Sequence, residues 1–316
     1  MRRLSLSVLA VAVLPLASHA QAPAAASCRP VEQQAGDSLV IPIEIENNHV
    51  FVAVCVANRA LTFILDTGAG QSFLDLNTAK DLGFSLGAGF SAGGAGPGTI
   101  RGAQLSGASA TLAGVPFTQR IGAALDLSRM SAREGHRMDG ILGADFIASR
   151  VLALDYAGAQ LRLYDRAKFR YGGTGTAVPL TFPSGHPHIE AEIRLTDGET
   201  VRGQFVVDVG SSAGLALAKP FVDDHDLRTR VGPTLKRPGG VGVGGQTMAL
   251  FGRVAELHIG SVAFENVVAS LHGDSAGVFS ERGSWVGNIG GEILRRFTVY
   301  FDYAARRMIL EPNATI

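Results

Sequence analysis

Apolar and polar residues alternate at period two through residues 41–46 (IPIEIE), which predicts a strand with one buried face. A continuous apolar run at residues 50–56 (VFVAVCV) predicts a strand buried on both faces. Shorter runs at residues 161–165 (LRLYD) and 307–312 (RMILEP) predict strands late in each half of the chain. Helical signals are brief. One helix is expected over residues 77–82, opened by Asn77 and stopped by Gly83, and another over residues 218–224. Glycine-rich segments at residues 87–102 and 232–245 interrupt the pattern and predict mobile hairpins. The fold class predicted is all-β.

Composition agrees with this pattern and narrows the partners. Forty glycines suit turn-rich β structure, and a 46% hydrophobic content supplies a core. The formal net charge of zero gives no reason to expect nucleic acid or an anionic membrane surface as partner. The first twenty residues form an expected export signal: Arg2 and Arg3, an apolar stretch over residues 4–17 broken by Pro15, then Ser18, His19 and Ala20. That stretch is short for a bilayer span of roughly 20 residues, so no stable membrane span is expected once the signal is removed. A periplasmic or secreted location follows. In that compartment Cys28 and Cys55 read as one possible disulfide.

The chain also repeats itself. Residues 140–165 read GILGADFIASRVLALDYAGAQLRLYD, and residues 287–312 read GNIGGEILRRFTVYFDYAARRMILEP. Gly143 aligns with Gly290, Asp155 with Asp302 and Tyr156 with Tyr303. Upstream, TFILDTGAGQSFLDL in the first half matches GQFVVDVGSSAGLAL in the second, so Asp66 and Asp208 occupy corresponding positions. The expected organisation is a signal (1–20), an N-terminal segment (21–37), a first lobe (38–170), a turn-rich linker (171–178) and a second lobe (179–316). Two similar lobes imply a pseudo-two-fold axis, and a loop at that axis meets its own copy.

Two facing carboxyls cannot both ionise cheaply. They share a proton, so one serves as acid and the other as base. Such a pair can deprotonate a water as it attacks a carbonyl and return a proton to the oxygen or the leaving amine. A glycine after each acid permits close approach, and the Thr67 hydroxyl can bond across the axis. Asp155 and Asp302, each before a tyrosine at a strand turn, are expected to serve the turn.

The chain resembles the pepsin and retropepsin clan of aspartic proteases, on the residues ILDTGAG, GILGADF and FTVYFDYAARRMIL. The segment LDLNTAKDLG resembles small bacterial retropepsin-like domains. In two copies the likeness spans roughly residues 38–314. It implies a bilobal, pepsin-like double β-barrel and an aspartic-type endopeptidase. Asp66 and Asp208 would form the catalytic dyad, supported by Thr67, Gly68, Gly210 and Ser211. The glycine-rich hairpins would be flaps over an extended peptide or protein substrate, in a monomer that needs no cofactor or metal.

The second loop departs from the clan. Val209 replaces the threonine, so one half of the cross-axis bonding is expected to be missing. Asn288 stands where the bracing segment usually has an apolar residue, and neither flap carries the tyrosine of pepsins, Phe90 being the nearest aromatic. Ala69 in the first loop faces Ser211 in the second. A serine there can hydrogen-bond a carboxylate, and its absence beside Asp66 predicts a dyad protonated to milder pH than in pepsin. The drifted second loop leaves an alternative: a non-catalytic peptide- or protein-binding module on the same fold. GFSAG (89–93) and GVGVGG (240–245) lack the strand and helix that a nucleophile elbow or dinucleotide fingerprint needs. The seven histidines beyond the signal show no metal-ligand spacing, and the HPH run at 186–188 has no companion acid.

Overall fold

The computed structural model describes Cys28, residues 34–273 and residues 275–313. The expected export signal and most of the segment that follows it lie outside these residues. Cys28 and Cys55 are joined as a disulfide, with their Cα atoms 5.2 Å apart.

The architecture is all-β, in three sheets. Two of them belong to one half of the chain each, and the third is shared. In the shared sheet the order of strands is Gln34–Ala35, Ser38–Pro42, Gln160–Tyr164, Val151–Asp155, Phe297–Asp302, Arg307–Pro312 and Thr176–Pro179. Val151–Asp155 and Phe297–Asp302 meet antiparallel at its centre, with Ala153 opposite Tyr300. Those two residues are copies of one another in the duplicated sequence, by the same offset that relates Gly143 to Gly290. The pseudo-two-fold axis therefore passes between them. Thr176–Pro179, within the turn-rich seam between the halves, pairs with Arg307–Pro312 as an edge strand.

Each half then builds its own sheet around the same parallel pair. In the first half Arg59–Leu65 runs parallel to Gly140–Leu142, with Phe63 opposite Gly140. In the second, Thr200–Asp208 runs parallel to Gly287–Gly290, with Asp208 opposite Gly290. The second-half sheet closes into a barrel because His188–Arg194 pairs with both Thr200–Asp208 and Gly245–Ile259. These central strands are apolar because both of their faces are covered: Phe63, Leu65, Phe205 and Val207 have no exposed surface. Burying each such side chain contributes about 1.5–3 kcal/mol, which is ample to hold the loops that leave the strand ends.

The first expected helix runs over Leu76–Asp81, one residue earlier than the sequence suggested. Asp75, not Asn77, caps it. Oδ2 of Asp75 accepts the amides of Asn77 and Thr78 at 3.0 Å each, and Oδ1 accepts that of Leu127 at 3.0 Å. A carboxylate meeting three N–H groups wins over an asparagine amide that can offer one oxygen. Gly83 does end the helix, at φ +77°. The second expected helix occupies Lys219–Asp224.

Candidate active site

Asp66 begins where the apolar strand Arg59–Leu65 leaves the core, and its amide still bonds the Leu142 carbonyl at 3.0 Å. Asp208 ends the equivalent strand of the second half. Both side chains open into one cavity of about 750 Å³ between the halves, with Ile64, Val206, Ser211 and Asn288 among its lining. The two loops interleave. A β-carbon placed on Gly68 would stand 2.9–3.1 Å from the carboxyl atoms of Asp208, and one on Gly210 would stand 2.4–2.8 Å from those of Asp66. Each glycine is thus required by the opposite acid, not by the turn of its own loop.

The Gly68 amide donates to Oδ1 of Asp66 at 2.8 Å, and the Ala69 amide also faces that carboxyl. Asp208 is served by the Gly210 amide and by Asn288, whose Nδ2 donates to Oδ2 at 2.7 Å. Asn288, the departure from the usual apolar brace, is therefore a ligand of the second acid. The Ser211 hydroxyl makes no hydrogen bond to Asp208 among the described residues. Its contribution is through the backbone: its amide bonds the Asp208 carbonyl at 3.2 Å and its carbonyl accepts the Gly291 amide at 2.7 Å.

Desolvation raises the pKa of both carboxyls. Asp208 is pushed well above the ordinary carboxyl range, with the charge of Asp66 adding to burial. Asp66 is raised against the lowering effect of its two loop amides and of the nearby His186. The pair thus favours one proton shared between two acids.

Thr67 locks the loops to each other. It is fully buried, and its Oγ1 donates to the Val207 carbonyl at 2.6 Å and accepts the Val209 amide at 2.9 Å. Val209, also fully buried, offers no reciprocal hydroxyl, as the sequence led us to expect. One threonine therefore makes both cross-axis bonds. Behind each loop stands its bracing glycine. A β-carbon on Gly143 would lie 2.4 Å from the Gln71 carbonyl oxygen, and one on Gly290 would lie 2.5 Å from that of Ala213. Ser72, overlooked in the sequence, accepts the Gly143 amide at 3.0 Å and donates to Asp145 at 2.6 Å.

Near the two acids, outside the cavity lining, lies a pair that duplication could have flagged. Tyr156 and Tyr303 follow the two central strands, and their hydroxyls are buried without a hydrogen-bond partner. Each phenol is pushed upward first by burial and then by an acid of the other half, Asp208 for Tyr156 and Asp66 for Tyr303. Their neighbours Asp155 and Asp302 serve turns: Oδ1 of Asp155 accepts the Gly158 amide at 2.8 Å, and Oδ1 of Asp302 that of Ala305 at 3.1 Å. Tyr156→Phe is expected to leave the fold as stable or up to about 1 kcal/mol more stable, because it removes a buried hydroxyl with no partner. A thermal melt that drops by several degrees would show instead that the hydroxyl is bonded in solution.

Two hairpins roof the cavity. The first joins Leu86–Ala92 to Ile100–Ala108, the second joins Leu235–Gly242 to Gly245–Ile259. Their tips bond to each other: the Gly98 amide to the Gly244 carbonyl at 2.7 Å, and the Gly244 amide to the Ala95 carbonyl at 2.7 Å. Only glycine fits there, since a β-carbon on Gly96 would lie 2.5 Å from the Gly245 oxygen and Gly96 itself sits at φ +101°. Phe90, the nearest flap aromatic, does not line the cavity; its ring covers Gly102 instead. Ser91 of GFSAG lies on an exposed hairpin strand with no helix after it, and GVGVGG forms the second flap tip. Among the described residues no group of three or more His, Cys, Asp or Glu stands at metal-binding spacing, and no helix is long and apolar enough to cross a membrane.

The strand of the Asp66 loop, the first flap and the Gly143 brace all fall inside one recognisable segment. Residues 52–146 match the aspartyl protease family, a retropepsin-like family. Comparison with curated proteins finds no match. The aspartyl protease match ends before the central strand Val151–Asp155, so the second half enters the site by its own geometry and by the internal repeat.

Proposed function

We propose that this protein is an aspartic-type endopeptidase in which Asp66 and Asp208 activate one water against a peptide carbonyl. The observation that carries this reading is the crossing of the two carboxyls over each other's glycines. Asp66, served by two loop amides, is the ionised partner and takes a proton from the water as its oxygen attacks. Asp208 gives its proton to the carbonyl oxygen. When the gem-diol collapses, Asp66 passes its proton to the leaving amine and Asp208 recovers one from the hydroxyl. The pair ends with the single proton it began with. Thr67, Gly68, Gly210 and Ser211 hold the geometry.

The substrate is an extended peptide paired with the flap backbones, entering as the flap tips part. Export through residues 1–20 fits a chain with a disulfide. A non-catalytic binding module remains the second reading, favoured only by Val209. Cleavage of a mixed peptide library at acidic pH separates the two, with Asp66→Asn and Asp208→Asn as controls. A wild type that cuts nothing, or a variant that cuts as well as it does, defeats the dyad.

Gly96→Ala is expected to raise KM roughly tenfold while changing kcat less, because a methyl group forces the flap tips apart without touching either acid. Steady-state kinetics on one good peptide measures this. A fall in kcat with KM unchanged would place the effect in the chemistry instead.

A further inference from the structure

The two halves line the cleft unequally, and the strand register shows where. In the first half Gly140–Leu142 pairs antiparallel with Phe73–Asp75, which sets Phe73 opposite Ile141. In the second, Gly287–Gly290 pairs antiparallel with Leu215–Leu217, which sets Ala216 opposite Asn288. Ile141 and Asn288 are copies of one another, each following the glycine that opens the repeat, Gly140 or Gly287. Phe73 and Ala216 therefore hold equivalent places, and both line the cavity. The first half fills its place with a phenyl ring, and the second offers only a methyl group.

The surroundings of that methyl group are aromatic. Trp285, the single tryptophan of the chain, precedes Gly287 by the same spacing as Met138 precedes Gly140, and both line the cavity. Met138 is buried, whereas Trp285 keeps part of its surface exposed. Phe279 clusters with Ala216, and Trp285 packs on that cluster. The rings of Phe279 and Trp285 meet edge to face, with centroids 5.6 Å apart and planes at 74°. The His272 ring stacks on Phe279 at 3.9 Å and 6°. The backbone behind these rings is pinned: the Val286 amide bonds the Gln204 carbonyl at 2.8 Å, and the Val286 carbonyl accepts the Ala218 amide at 2.9 Å. The tip of the first hairpin closes the pocket, since the Gly94 carbonyl accepts the Val278 amide at 3.2 Å and Ala95 packs on the same cluster. The first-half side of the cleft is built differently, from Met130, Met138 and Phe73, with the Glu134 carboxylate 3.3 Å from Nδ1 of His49.

We propose that Ala216, Phe279 and Trp285 form a specificity pocket for an aromatic side chain of the substrate, in the place that the first half fills with its own Phe73. This rests on the peptide-cleft reading above. A flat ring extends the edge-to-face arrangement of Phe279 and Trp285, which an aliphatic chain cannot do. The equivalent place across the axis is already taken, so only one side of the cleft accepts a ring. Two-fold symmetry alone would let an extended peptide lie in either direction. The pocket removes that choice and keeps the aromatic residue on one side of the scissile bond. Ala216 and Trp285 are thus specificity-determining residues, with no part in the proton transfers.

The test is peptide binding to the full chain carrying Asp208→Asn, which removes turnover. The probes are two blocked polyalanine peptides that differ in one central residue, phenylalanine or leucine, titrated by calorimetry. The phenylalanine peptide is expected to bind roughly three- to tenfold more tightly. It should also shift the fluorescence of Trp285, the only indole in the chain. Trp285→Met and Ala216→Phe, each added to the same background, should erase the advantage, the first by removing the indole and the second by filling the space. Trp285→Phe, which keeps a ring, should retain most of it. Thermal melts identify any variant that fails to fold, and the folded ones then decide. In the wild type, sites cut in a mixed peptide library should carry an aromatic residue on one side of the scissile bond only. Binding needs no cleavage, so a wild type that cuts nothing counts against the protease reading and leaves this one to its own result. Equal binding of the two peptides, or none, overturns the proposal. So does an advantage that survives in folded Trp285→Met or Ala216→Phe, or a Trp285 fluorescence that the phenylalanine peptide leaves unchanged.

Discussion

Asp66→Asn is expected to lower kcat/KM by roughly 10⁴-fold or more, and Asp208→Asn by a similar amount, with the double variant little worse than either. Near-equality follows from the shared proton: an amide cannot take the water's proton, and it cannot give one to the carbonyl oxygen. The same variants should gain stability at neutral and mildly alkaline pH. Burial raises the pKa values of both acids in the folded protein above the ordinary carboxyl range. The folded state therefore holds the proton more tightly than the unfolded chain. The stability this supplies is complete below the ordinary carboxyl range and is lost as pH rises through the raised folded values. Asparagine removes that loss. Thermal melts from pH 4 to pH 8 should fall more steeply for the wild type than for either variant. If the melts run parallel, the carboxyls do not repel in the folded protein. The activity itself should need one proton on the pair, giving a bell-shaped profile that falls on the acid side as Asp66 protonates and on the alkaline side as Asp208 ionises.

Thr67→Val is the second large effect. The side chains are close in volume, so the cost is in hydrogen bonds. The variant strands the Val207 carbonyl and the Val209 amide, which Thr67 now satisfies at 2.6 and 2.9 Å in a fully buried position. Each stranded group costs about 1–3 kcal/mol. A loss of about 2–6 kcal/mol in all is expected, read as a fall in melting temperature on the order of 5 °C or more. Activity should fall further than stability, because the two acid loops are no longer tied across the axis. Val209→Thr should not compensate in the same protein unless its hydroxyl reaches the first loop. Chemical denaturation with a peptide assay on the same samples checks this, and an unchanged midpoint would mean that the axis is held by packing alone.

How much of this was legible beforehand differs from residue to residue. Asp66 was legible because a charged residue at the end of a fully apolar strand needs a reason, and the repeat supplied its counterpart. Gly68 and Gly210 were legible as glycines that permit close approach, and the structure shows that what approaches is the opposite carboxyl. Asn288 read as a flaw in the brace and is a ligand of Asp208. The HPH run at 186–188 read as a turn or edge strand without a companion acid, and both of its histidines line the cavity, because nothing local along the chain shows what the fold brings to them. Ser72 was missed because its partner Gly143 lies far along the chain. Asp75 was missed as the cap although the amides it accepts, those of Asn77 and Thr78, are local, because Asn77 offered a competing cap two residues on.

The sequence by itself determined the strand-rich fold class, the two glycine-rich hairpins, the duplication and the correspondence of Asp66 with Asp208. These follow from periodicity and repetition, which are properties of order along a chain. Only the tertiary structure decided that each acid lies over the other's glycine, that one threonine makes both cross-axis bonds, that the hairpin tips touch, and that His186 and His188 line the same cavity as the two acids. Those are facts about the gap between two copies, and neither copy contains them.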